Sequence, residues 1–136
     1  MNTQPTEQHE AYVRGSTGLE TLDTILHGGL PSGELYVING SPGAGKTTLA
    51  LHFLQAGAVR GEKVLCSSLS QRVESLEQTA QAVGLDISDV TFCDLSSVAA
   101  LKKLSERQTI FDTSEVELVE TMQAIMDIIE EAAPSR

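Results

Sequence analysis

The sequence holds no tryptophan, two tyrosines and three phenylalanines in 136 residues. A chain this poor in rings cannot fill its interior with stacked aromatics, so its core must be aliphatic. Cysteine is scarce too. Cys66 and Cys93 each sit inside an apolar run, which reads as two reduced core thiols and not as a disulfide framework or a metal site. His9, His27 and His52 are scattered and make no metal-ligand spacing. Positive charge is short as well: nine Lys and Arg stand against 19 Asp and Glu, a net charge of −10. Such a surface repels phosphate backbones and anionic bilayers, which argues against nucleic acid and membranes as partners. No apolar run approaches the roughly 18 residues that cross a bilayer. The opening stretch MNTQPTEQHEAYVRG has no apolar segment of the secretory kind.

What is present fits one soluble globular domain, with 40% hydrophobic and 21% charged residues. Residues 1–14 are expected to be disordered, and a single domain to run over 15–136. Thr17–Leu26 has helical apolar spacing at Leu19, Leu22, Ile25 and Leu26, and Thr17 with Glu20 has the form of a capping box. HGGLPSGE then stops it: Gly28 and Gly29 are suited to left-handed conformations, and His27 suits the negative end of the helix dipole.

Glu34–Asn39, ELYVIN, reads as a strand. A helix over Lys46–Arg60 ends at Gly61, and Lys63–Leu69 is a second strand. A helix with Val73, Leu76, Ala80 and Val83 on one face closes at Gly84, and Val90–Asp94 is a third strand. After a looser SSVAALKKLSER and a short TIF, a long helix starts at a second capping box, Ser114 with Glu117. It carries Leu118, Val119, Met122, Ile125, Met126 and Ile129 on a broad apolar face. Strands alternating with helices imply an α/β fold, a mostly parallel sheet with helices on both faces.

Gly40-Ser41-Pro42-Gly43-Ala44-Gly45-Lys46-Thr47 fits Gly-x-x-x-x-Gly-Lys-[Ser/Thr] at every fixed position, between a predicted strand and a predicted helix. The chemistry explains the pattern. Backbone N–H groups can wrap a triphosphate only where side chains stay clear and the backbone turns freely, hence Gly40, Gly43 and Gly45. The helix start adds further N–H groups, up to Thr48. Lys46 reaches the β and γ oxygens, and the Thr47 hydroxyl is the candidate ligand of Mg²⁺. GTPases usually carry an Asn-Lys-x-Asp box for guanine. Lys46, Lys63, Lys102 and Lys103 lie in none, so ATP is the expected nucleotide.

Thr17-Gly18, Leu22-Asp23, Gly28-Gly29-Leu30-Pro31 with Gly33, and the loop that follows resemble the opening of the KaiC-like ATPases of the RecA superfamily. FDTSEVELVET, 111–121, resembles a segment late in the first half of such domains. The resemblance covers nearly everything after Arg14. It implies a RecA-like P-loop fold and a cytoplasmic ATPase. It also implies a homo-oligomeric ring, in most members a hexamer, with ATP between subunits. Some members autophosphorylate on Ser or Thr, and others drive signalling through partner proteins.

Two departures from that family matter. Its second acidic motif, apolar residues ending in Asp, follows a Pro-x-x; here Pro134-Ser135-Arg136 stands where that strand should begin. The domain is therefore expected to be incomplete at its C-terminal side. Relatives also place a carboxylate after the strand that follows the P-loop helix, where this chain reads Leu69-Ser70-Gln71. Gln71 can hold a water but cannot accept its proton. Asp94 as a magnesium partner and Glu74 as a substitute base are the alternatives. The expectation is an ATP-binding domain with weak or absent hydrolysis, Lys46 and Gln71 marking the catalytic positions. The rival is a non-hydrolysing, ATP-dependent assembly or signalling module; a small-molecule kinase fits the lead-in less well.

Overall fold

The computed structural model describes residues 13–95 and 114–136. In chain order these form β1 (Arg14–Gly15), α1 (Glu20–Ile25), β2 (Leu30–Pro31), α2 (Lys46–Ala58), β3 (Leu65–Ser68), α3 (Val73–Ala82), β4 (Thr91–Asp94) and α4 (Ser114–Ala132). The class is α/β, as the alternating pattern implies. β3 and β4 pair in parallel, Leu65 opposite Thr91 and Ser68 opposite Asp94, and α3 supplies the crossover that a parallel pair requires. On the other edge of β3 the Arg136 amide donates to the Lys63 carbonyl, and the Leu65 amide donates to the Arg136 carbonyl. That is one step of a parallel ladder, so Arg136 extends the sheet where a new strand was expected to begin.

The core is aliphatic. Leu51 and Leu54 of α2, Ala80 of α3, and Val64, Ile87 and Val90 pack together, with Phe92 and Cys66 against them. In the ladder Cys66 faces Phe92 and Cys93 faces Ser67. The two thiols therefore project from opposite faces of the sheet. Burial pushes the Cys66 thiol above its ordinary pKa, so it is a poor nucleophile. Both cysteines are free.

Several expectations are corrected. ELYVIN does not form a ladder: 34–39 carries no strand assignment, and Leu35 and Val37 are 90% and 84% exposed. Its composition is strand-like, but a strand exists only through partners, and none lies beside it among the described residues. The short antiparallel pair of β1 and β2 was not foreseen, and it puts Arg14 inside an element. The capping box at Thr17 does not form. α1 is capped at Leu19 with no side-chain bond, and Thr17 instead turns inward, donating through Oγ1 to Asp23. The Ser114–Glu117 side chains, SSVAALKKLSER and TIF lie outside the described residues.

Helix ends give one further correction. α2 and α3 close in the same way. The amide of Glu62 reaches the Gly57 carbonyl and that of Gly61 reaches Ala58; likewise Leu85 reaches Ala80 and Gly84 reaches Gln81. These are Schellman ends with a left-handed glycine, Gly61 at φ 75° and Gly84 at φ 73°. α1 ends by the same pair of bonds, Gly28 to Asp23 and His27 to Thr24. The residue that closes the helix is thus His27, φ 54°, and Gly28 and Gly29 after it also take positive φ, 107° and 106°, as expected of them. An exposed histidine there has the Cβ crowding that glycine avoids. His27→Gly is expected to stabilise the chain by about 0.5–1 kcal/mol, the strain relief being partly offset by the freer unfolded chain. A urea midpoint that stays put or falls would contradict this.

Candidate functional site

The cradle is built from the loop 40–45 and the first turn of α2. Ser41 to Ala44 forms a turn closed by the Ala44 amide on the Ser41 carbonyl at 3.2 Å. Gly43 and Gly45 take left-handed φ of 80° and 88°, and Gly45 is the N-cap of α2. A Cβ at either would meet nothing within 4 Å. Backbone conformation, and not crowding, is thus what makes glycine necessary at both. Gly40 is the opposite case: its added Cβ would lie 3.3 Å from the Ala44 Cβ, so it is the close-packed position of the loop.

No side chain caps α2 at Gly45. The amides of Lys46, Thr47 and Thr48 open the helix, where no intrahelical carbonyl can reach them, so they are free to bind an anion at the positive end of the dipole. Lys46 folds back across the loop. Its ammonium donates to the carbonyls of Gly40 at 2.8 Å and Ser41 at 2.9 Å. An ammonium has three N–H groups, so one remains for a phosphate oxygen. Residues 41–45, Pro42 among them, are exposed, and Lys46, Thr47 and Thr48 are half-buried. A cleft of about 430 Å³ opens beside the loop, lined by Ala44, Gly45, Lys46 and Thr48 with Leu19, Leu22 and His52 among its walls. Another cavity, of about 640 Å³, lies among Lys63, Thr91 and Ile128 and touches no cradle residue.

The other candidates do not line that cleft. Gln71 is exposed and sits just past β3, where Ser68 Oγ donates to its carbonyl at 2.5 Å and accepts from its amide at 3.1 Å. Asp94 ends β4 opposite Ser68. The parallel pairing therefore brings Gln71 and Asp94 to the same end of the strand pair. Glu74 is exposed in the first turn of α3. Among the described residues no group of three or more His, Cys, Asp or Glu could hold a metal ion. The described chain has no helix long and apolar enough to cross a membrane.

Sequence reading missed what Asp23 does. Its carboxylate accepts from Ser16 Oγ at 2.5 Å, from the Thr17 amide at 2.7 Å and from Thr17 Oγ1 at 2.6 Å. The hydroxyls of Ser16 and then Thr17 hold its pKa below the ordinary carboxylate value. The Leu22-Asp23 pair was visible as a motif, and the clasp supplies its physical reason: it closes the turn that leads into α1. Arg136 was also missed, since nothing in sequence places it beside Glu62, Ser16 and Phe53.

Comparison with known proteins adds the lineage of this arrangement. The family described as "ATPase: KaiC" matches residues 15–136. The "Circadian clock oscillator protein KaiC" of Thermostichus vulcanus is 31% identical over 83 residues, 61% of this chain and 16% of that protein. "UPF0273 protein PH0284" of Pyrococcus horikoshii is 30% identical over 124 residues, 85% of this chain and 50% of that protein. "DNA repair protein RadA" of Helicobacter pylori is 36% identical over 73 residues, 54% of this chain and 16% of that protein. The chain thus spans half or less of the length of these relatives.

Proposed function

The chain belongs to the KaiC ATPase family, and on that premise we propose that its loop from Gly40 to Thr47 holds the triphosphate of ATP. The observation that carries this reading is the Lys46 ammonium anchored on the Gly40 and Ser41 carbonyls. It stands beside two left-handed glycines and an uncapped helix start. In the proposed complex the amides of Lys46, Thr47 and Thr48 and of the loop glycines before them meet the phosphates, and Lys46 neutralises the β and γ oxygens. Magnesium would be held by the Thr47 hydroxyl together with phosphate oxygens; it would offset charge on the triphosphate.

Turnover is proposed to be weak or absent. The group beyond β3 is Gln71, exposed and incapable of taking a proton. This same observation supports the second reading, a non-hydrolysing module in which ATP fixes an assembly or a partner surface. A homo-oligomeric ring, a signalling protein partner and a cytoplasmic setting belong to this proposal as well.

The test is competition of unlabelled Mg·ATP and Mg·GTP against a fluorescent ATP analogue, with phosphate release followed in parallel. ATP is expected to compete at least about tenfold better than GTP, a difference of about 1.4 kcal/mol, with negligible release. Equal competition by GTP removes the ATP preference. Brisk release abolished by Lys46→Ala would mean that the catalytic carboxylate lies elsewhere, with Asp94 and Glu74 the next residues to change.

A further inference from the structure

Arg136 takes no part in the cradle, yet its side chain is only 5% exposed. It donates to both Glu62 carboxylate oxygens, at 2.6 and 3.1 Å. It also donates to the carbonyls of Ser16 at 2.8 Å and Phe53 at 3.0 Å. Its guanidinium lies 4.5 Å from the centre of the Phe53 ring. A charge so buried persists only when paired and hydrogen-bonded. The planar fork of arginine meets that demand, while a lysine ammonium could not reach these acceptors together.

The seat is cut from missing side chains. A Cβ on Gly57 would stand 2.7 Å from Arg136 Cδ, and a Cβ on Gly15 would stand 2.7 Å from Arg136 Nη2. Gly57 is buried within α2, where glycine is a poor helix former, and the left-handed residue that closes the helix is Gly61 and not Gly57. The guanidinium accounts for its presence.

We propose that Arg136 is a positioning residue for the phosphate-binding helix: seated against Gly57 and Gly15, it fixes α2 to the segment before α1 and to the turn before β3. The inference rests on the ATP-binding reading above. α2 carries the cradle at its first turn and meets Arg136 through the Phe53 carbonyl two turns later. Ser16, the second anchor, is itself clasped by Asp23. Glu62, the third, is the residue whose amide completes the end of α2. The direction in which the Lys46, Thr47 and Thr48 amides point is thereby tied to one side chain at the sheet edge.

The test is a cycle in the whole chain with Gly57→Ala, Arg136→Ala and the two together. With Arg136 present, Gly57→Ala is expected to lower the thermal midpoint by about 3 °C or more, although alanine is the better helix former. In the Arg136→Ala background the same change is expected to raise the midpoint. The second reading is affinity for a non-hydrolysable ATP analogue, taken where circular dichroism shows every variant folded. Gly57→Ala is expected to weaken binding several-fold with Arg136 and to leave it unchanged with Arg136→Ala. Arg136→Lys is expected not to restore either property. A midpoint that moves the same way in both backgrounds overturns the seat. Equal affinities across folded variants, with the unaltered chain binding normally, overturn the positioning role. No binding by the unaltered chain removes the ATP reading and the positioning role with it, while the sign of the midpoint shift still decides the seat.

Discussion

Lys46→Ala is expected to weaken Mg·ATP analogue binding by about 10- to 100-fold while leaving the chain folded. Two losses combine. A hydrogen bond to a charged group is worth about 1.5–3 kcal/mol, and the alanine forfeits the one to the phosphate. It also removes the bonds that hold the Gly40 and Ser41 carbonyls under the loop, so the free loop becomes less ordered and binding must supply that ordering. Lys46 is half-buried at the first turn of α2 and contributes nothing to the aliphatic core. Calorimetric titration checks the affinity, and circular dichroism checks that the helix content is kept. Unchanged affinity would mean that the phosphates are not held by this loop.

The largest stability effect is expected at Leu51. It is 1% exposed and packs with Leu54, Val64, Ala80, Ile87 and Val90. Removing three carbons from such a site loses transfer energy and leaves a cavity, at a cost of about 2–5 kcal/mol. Against a total stability of about 5–15 kcal/mol, that is enough to bring a small domain near its unfolding threshold. Leu51→Met keeps the volume and is expected to cost less than about 1.5 kcal/mol. Urea titrations of both variants make the comparison. A loss below about 1 kcal/mol for Leu51→Ala would show that the surroundings collapse into the space.

The periodic helices and the cradle were legible in sequence for different reasons. Leu51, Leu54, Leu76 and Ala80 recur at helical spacing, so their burial against the sheet follows from patterning. The loop 40–47 was legible because its glycines and Lys46 answer to local chemistry. What could not be read depends on distant partners. ELYVIN has the residues of a strand, but its ladder needs neighbours that the described chain does not place beside it. The seat of Arg136 joins residues separated by 74, 83 and 120 positions, and no local pattern announces such a meeting. The positive φ of His27 was missed for a subtler reason: the two glycines after it, which do take positive φ, made the turn look settled without it.

The one-residue offset of Cys66 and Cys93 across the paired strands has a consequence for redox experiments. A bond between them would have to pass through the sheet, because their side chains leave it in opposite directions. Within one folded chain the two sulfurs are therefore separate monothiols. An oxidised band of doubled mass on a non-reducing gel joins two chains, and a compacted band of unchanged mass would report a chain whose β3 and β4 have come apart.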